Sequence, residues 1–178
     1  FDMQTKQVTF HYNGTGLNHP WGIAISPDSR HAVVANCSGN NIALIDLQTD
    51  EVSFPFPDAG FNEPCGVAFS PNGALVLVAN DSGNNVACID FHTREATFLE
   101  GFHQPMGLSV SRDGTHALVA NWGGGNDNIA CIDFHTRQAT LIGGFQNPSG
   151  VSISRDGTHA LVANFRGDDK IAQMNFDL

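Results

Sequence analysis

Basic residues are scarce in this sequence. Eight lysines and arginines stand against eighteen aspartates and glutamates in 178 residues, a formal net charge of −10. Such a surface repels phosphate backbones and anionic lipid headgroups, so neither nucleic acid nor a membrane surface is expected as a partner. Long apolar runs are missing too. Nothing approaches the roughly 18 consecutive apolar residues of a membrane helix, which excludes helical insertion. The four cysteines form no CxxC motif, and the redox compartment stays open. No GxGxxG or phosphate loop follows a strand and opens a helix, and no nucleophile elbow or Ser/His/Asp order appears. The acidic loops Gly125-Asn126-Asp127-Asn128 and Gly167-Asp168-Asp169-Lys170 lack the D-x-D/N-x-D/N-G pattern of a calcium loop and read as solvated turns. No cofactor is expected. The chain opens on Phe1 rather than methionine, which reads as a processed or trimmed terminus.

What the sequence does have is a repeat. PWGIAISPDSRHAVVAN begins at Pro20, PCGVAFSPNGALVLVAN at Pro64, PMGLSVSRDGTHALVAN at Pro105 and PSGVSISRDGTHALVAN at Pro148. A period in the low forties, made of short alternating segments and turn residues, is the signature of propeller blades. Each copy predicts four strands. In the first, strand A covers Gly22 to Ser26, strand B His31 to Ala35, strand C Ile42 to Asp46 and strand D Val52 to Phe54. Pro, Asp and Gly in the A–B turn suit a tight reversal. Asn36, Asn80, Asn121 and Asn164 close strand B, where a side-chain amide can bond its own turn. The fold class is therefore all-β: a propeller of four blades with four antiparallel strands each. The chain is one domain, residues 1–178, with repeats at about 20–63, 64–104, 105–147, and 148–178 joined with 1–19.

The join is the notable part. Phe1 to Tyr12 reads as the end of a repeat, with an outer strand at Gln7 to Tyr12. IAQMNF at Ile171 matches IACIDF at Ile129, and the chain stops two residues later. The N-terminal strand is thus expected to complete the C-terminal blade, which would close the ring and remove open strand edges. A four-blade monomer is the favoured reading. Two chains forming one eight-blade ring keep the same phase match.

The segments SPDSRHAVVANCSGNNIALID, SPNGALVLVANDSGNNVACID and SRDGTHALVANWGGGNDNIACID resemble the YVTN-type β-propeller repeat family across the whole chain, and the NHL repeat class is similar as a second choice. The resemblance implies that strand A lines a central channel and strand D lies outermost. It also implies that the D–A and B–C loops share one face and the two other turns the opposite face. An extracellular, cell-surface or periplasmic setting and a recognition role follow from it as expectations. Blades usually number more than four in that family.

Comparison between the four copies separates scaffold from site. Positions shared by every blade are architectural. Those that differ are the residue after the proline (Trp21, Cys65, Met106, Ser149), the two before it (His19, Glu63, Gln104, Asn147; Asn18, Asn62, His103, Gln146) and the first B–C loop residue (Cys37, Asp81, Trp122, Phe165). All fall on one expected face. His19, Trp21, Glu63, Cys65, His103, Met106, Trp122 and Phe165 are the candidate ligand-binding residues. The aromatic members suit sugar rings or peptides through stacking and area burial; equally, they suit plugging a narrow channel. His19, His103 and Glu63 are the side chains that could hold Zn²⁺ or a similar cation. Cys37 and Cys65 share that face, and a disulfide between them is open. Cys88 and Cys131 occupy one repeat position and read as buried apolar residues. The repeated His31, His116 and His159, and His92 and His135, read as scaffold. These residues point to a non-enzymatic module for a protein, peptide or glycan. The alternatives are a lyase or hydrolase using His19, His103 and Glu63, and a structural subunit of a larger assembly.

Overall fold

The computed structural model describes residues 12, 15–56, 60–123, 127–166 and 170–176. Among these residues the secondary structure is strands, turns and a single 3-10 turn at Cys37–Gly39. β1 (Pro20–Ile25), β2 (His31–Asn36), β3 (Asn41–Asp46) and β4 (Val52–Ser53) form the first sheet. β5 (Pro64–Phe69), β6 (Leu75–Asn80), β7 (Asn85–Asp90) and β8 (Ala96–Glu100) form the second. β9 (Pro105–Val110), β10 (His116–Asn121), β11 (Asn128–Asp133) and β12 (Gln138–Ile142) form the third, and β13 (Pro148–Ile153), β14 (His159–Asn164) and β15 (Ile171–Asn175) the fourth. Every sheet is an antiparallel meander in chain order, and each repeat is one blade.

Three sequence features set this register. A proline opens each first strand, where its missing N–H costs no ladder bond. It pairs with the asparagine that closes the second strand: Pro20 with Asn36, Pro64 with Asn80, Pro105 with Asn121 and Pro148 with Asn164. The register shifts just after each proline in the first strand, a bulge that re-aims the next side chain. At the A–B turn, the Ser26 hydroxyl donates to Asp28 Oδ1 at 2.6 Å, and its oxygen accepts the His31 N–H at 3.0 Å. Ser70 with Asn72, Ser111 with Asp113 and Ser154 with Asp156 repeat that clamp. At the C–D turn, Asp46, Asp90 and Asp133 each accept the N–H groups two and three residues on.

The closing asparagines are structural, and among the described residues their side-chain oxygens reach beyond their own turn. Asn36 Oδ1 accepts the N–H of Asn18 at 2.5 Å, Asn80 that of Asn62 at 2.6 Å, Asn121 that of His103 at 3.4 Å, and Asn164 that of Gln146 at 3.1 Å. Each reaches a backbone N–H 18 residues earlier, in the D–A corner. The amides of Asn36, Asn80 and Asn121 also donate across the B–C loop to Oδ1 of Asn41, Asn85 and Asn128, at 2.7, 2.9 and 2.7 Å. Buried polar groups must find partners, and this one side chain ties three segments of a blade together.

The core lies between blades. Val33, Ala35 and Ile42 of the first blade pack on Val76, Val78, Ala87 and Ile89 of the second. Leu77 and Val86 meet Ala117, Val119, Ala130 and Ile132. Leu118, Ala120 and Ile129 meet Ala160 and Val162. A residue three before each proline is wedged into these clusters: Phe61, Phe102 and Phe145, with Leu17 in the same place on the first blade. Strand β1 packs on β5, β5 on β9 and β9 on β13, whereas β1 and β13 do not pack on each other to any comparable extent. The expected closing strand, Gln7 to Tyr12, lies outside the described residues apart from Tyr12. That side chain packs on the first blade, its hydroxyl donating to Asp50 at 3.0 Å.

Candidate functional site: the loop face

The residue before each proline takes a left-handed conformation in every blade: His19 (φ 48°), Glu63 (φ 51°), Gln104 (φ 46°) and Asn147 (φ 48°). This reversal brings the D–A corner against the B–C loop. The carbonyls of His19, Glu63, Gln104 and Asn147 accept the N–H groups of Cys37, Asp81, Trp122 and Phe165 at 3.2, 3.2, 3.1 and 3.0 Å. Two of the variable positions picked out in the sequence, the residue before the proline and the first residue of the B–C loop, are therefore direct hydrogen-bond neighbours in every blade. Successive blades are laced there as well. Asn40 Oδ1 accepts the Glu63 N–H at 2.8 Å, Asn84 Oδ1 that of Gln104 at 2.9 Å, and Asn147 Nδ2 donates to the Trp122 carbonyl at 2.7 Å.

The aromatic candidates separate into two places. Trp122 and Phe165, on adjacent B–C loops, stack at 4.9 Å between ring centroids with 42° between planes. Phe165 is 61% exposed and Trp122 half-buried. Trp21 lies on β1, 66% exposed. With Cys65, Met106 and Ser149, the other residues after the prolines, it lines a cavity of about 240 Å³ between the four first strands. Met106 is half-buried. Cys65 is buried, its thiol directed at the Pro105 carbonyl at 3.2 Å, and burial pushes its pKa up to about 12.

The polar candidates are tied to their own blades. A ring nitrogen of His19 (Nδ1) is 2.7 Å from the Ser38 hydroxyl, and the Ser82 hydroxyl donates to the Glu63 carboxylate. His103 is exposed. Among the described residues no three His, Cys, Asp or Glu side chains gather as a metal would require, so His19, Glu63 and His103 are not brought together. Cys37 and Cys65 are both free thiols. Burial raises the pKa of Cys37, and the Glu63 and Asp81 charges add to it. Asp81 is likewise raised, by burial first and then by Glu63.

The opposite face holds a feature with no signal in the sequence. A cavity of about 510 Å³ opens between the third and fourth blades, walled by His116, Leu118, Cys131, Ile153, Arg155 and Phe176. A cleft of about 300 Å³ opens at the next interface back, beside Leu75, Cys88, Phe134 and Arg137. Cys88 and Cys131 share a repeat position, so the opening recurs with the repeat. Between the first two blades His31 meets Phe91 edge-on at 5.5 Å, and Arg94 lies 4.3 Å over that same ring. Side chains fill the space there.

Serial antiparallel meanders of three or four described strands, packed face to face with their first strands innermost, define a β-propeller. A solved structure agrees: Kuenenia stuttgartiensis hydrazine synthase matches with a TM-score of 0.78 over 93% of this chain, at 22% sequence identity. This chain spans about half of that one, 49% of its length. At that identity the likeness concerns the fold alone. No protein-family model matches the chain, and no curated protein matches it by sequence.

Proposed function

We propose that the chain is a non-enzymatic recognition module of the YVTN repeat type, taking a protein, peptide or glycan on the loop face. The observation that carries this reading is the stacked Trp122–Phe165 pair. Blades one and two place Cys37 and Asp81 at the same position, so the ring pair serves no need of the repeat. Aromatic faces half in water bind sugar rings, prolines and other aromatics through area burial and stacking. The neighbouring exposed His103 and Gln104 supply hydrogen bonds for orientation. Corner hydrogen bonds fix the backbones of Trp122 and Phe165, so these two residues need little ordering on binding.

The test is a fluorescence titration of the purified chain against glycan and peptide panels. A saturable change is expected, with affinity falling roughly 30-fold in Trp122→Ala, the loss for an aromatic hot spot of about 2 kcal/mol. A ligand that binds Trp122→Ala and the parent chain equally well would refute the assignment, as would silence across both panels.

A further inference from the structure

On the face opposite the loops, the seam between blades closes in the same way twice. A Cβ placed on Gly73 would lie 3.4 Å from Cδ of Pro27 in the preceding blade, and one on Gly114 would lie 3.5 Å from Cδ of Pro71. Each proline rests against the turn of the next blade. In the third blade the residue at that position is Arg112, and a Cβ on Gly157 would meet nothing within 4 Å. Deeper in the seam, the first repeat carries Leu44 where the third carries the smaller Cys131. Arginine for proline at the rim and cysteine for leucine at the floor coincide at the third seam. There the cavity of about 510 Å³ opens.

Its floor is apolar. Leu118 is buried, and Cys131, Ile153 and Phe176 pack against the same cluster. Its rim is charged, with Arg112, Arg155 and His116 beside Asp113 and Asp156. The whole sequence holds eight lysines and arginines at a net charge of −10, so two arginines at one opening are a concentration. The aspartates are committed to their own turns. Asp113 Oδ1 accepts the Ser111 hydroxyl at 2.6 Å and the Thr115 N–H at 3.0 Å. Asp156 Oδ1 accepts the Ser154 hydroxyl at 2.6 Å and the Thr158 N–H at 3.1 Å. Among the described residues neither guanidinium makes a hydrogen bond or an ion pair. Their N–H forks are left for a ligand.

The geometry points to a binding site for an amphiphilic monocarboxylate, its aliphatic or aromatic body on the floor and its carboxylate on Arg112 and Arg155. The volume and the apolar lining with a few polar groups are those of small-molecule sites. A guanidinium matches a carboxylate with two parallel hydrogen bonds, and each methylene buried on Leu118, Ile153 and Phe176 adds affinity. A cationic head group would face two guanidiniums, and a polyanion would face Asp113 and Asp156. The site shares no residue with the loop face and stands independently of the function proposed there.

Isothermal titration of the 178-residue chain with octanoate, octan-1-ol and octylammonium tests this. Octanoate is expected to saturate one site per chain, octan-1-ol to bind roughly tenfold more weakly and octylammonium not at all, because the charged hydrogen bonds are lost. Arg112→Pro and Cys131→Leu install residues that other repeats already carry there, as Pro27, Pro71 and Leu44, so both are expected to melt like the parent while closing the cavity to octanoate. Arg155→Gln should weaken octanoate roughly tenfold and leave octan-1-ol unchanged, a split that general damage to the blade would not produce. Arg137→Gln, at the neighbouring cleft, should leave octanoate binding as it is. Absence of saturable octanoate binding overturns the inference. So does octylammonium binding as tightly as octanoate, parent-like affinity in Arg155→Gln, or loss of binding in Arg137→Gln.

Discussion

Replacing Asn80 by alanine isolates the bond that ties a blade together. Asn80 is fully buried. Its Oδ1 accepts the Asn62 N–H at 2.6 Å, and its amide donates to Asn85 Oδ1 at 2.9 Å and to the Gly60 carbonyl at 3.4 Å. Alanine leaves the Asn62 N–H and the Asn85 oxygen without this partner. A buried group so orphaned costs about 1–3 kcal/mol. Because the third bond is long, the total expected is about 2–4 kcal/mol, or roughly 5–15 °C in melting temperature for a chain of this size. Asn164 is the internal control. It is half-buried and accepts the Gln146 N–H at 3.1 Å, so Asn164→Ala should cost only about 1 kcal/mol, since water can reach the groups left behind. Urea unfolding of both variants, followed by circular dichroism, reads the difference as a shift in midpoint at constant slope. Equal shifts in the two variants would refute the argument that burial sets the cost. A negligible shift in Asn80→Ala would refute the account of the corner itself.

Three further outcomes follow from the turns and strands. Asp113 and Asp156 are held at about 2, first by the Ser111 and Ser154 hydroxyls and then by the Thr115 and Thr158 N–H groups. A carboxylate lowered in the folded state adds stability above its ordinary pKa and loses it as pH falls through the folded value, so unfolding should become easier between about pH 4 and pH 2. Asn72 makes the same turn bonds uncharged, so Asp113→Asn with Asp156→Asn should flatten that acid limb in equilibrium unfolding; an unchanged limb would count against it. Alkylation at pH 8 should modify Cys65 last of the four thiols, because burial raises its pKa to about 12; peptide mass mapping over time checks the order, and early labelling of Cys65 would contradict its placement. Gly66→Ala drives a methyl against the Met106 carbonyl and should cost at least the roughly 1–3 kcal/mol typical of overpacking. Gly143→Ala, with open space at its Cβ, should melt like the parent chain.

The blade pattern was legible because it is local. Proline, the Ser-x-Asp/Asn turn and the closing asparagine recur at fixed offsets, and alternation of apolar residues set the strand periods to within two residues. The loop face was legible for a related reason. Positions that vary among copies mark where the scaffold makes no demand, and the structure joins two of the four sets by direct hydrogen bonds, as between Gln104 and Trp122. Contacts across blades left weaker traces. The Trp122–Phe165 stack spans 43 residues by numbering, and no spacing rule links two rings on different loops. The asparagine bond was misread because its partner lies 18 residues away in another segment, whereas local reasoning sees only the adjacent turn. The cavity beside Cys131 left no signal because its walls come from two blades, His116 and Cys131 from the third and Ile153, Arg155 and Phe176 from the fourth, and no spacing rule joins them.

Trp21 and Trp122 were expected on one face as parts of a single platform, and the structure gives them different neighbours. Trp122 sits within the series of blades, its ring against Phe165 and its backbone fixed by Gln104 and Asn147. Trp21 sits at the end of the series, beside a cavity lined by the first strands. Under the proposed function, a ligand on the loop face is expected to report through Trp122, whose ring lies on Phe165, and not through Trp21 beside the first-strand cavity. Single-tryptophan variants separate the two positions. In Trp21→Phe, a ligand titration should remain saturable; in Trp122→Phe, the same ligand should leave the Trp21 emission unmoved. Emission that follows the ligand equally in both variants would mean that the two tryptophans share one surface, and the division between them would fall.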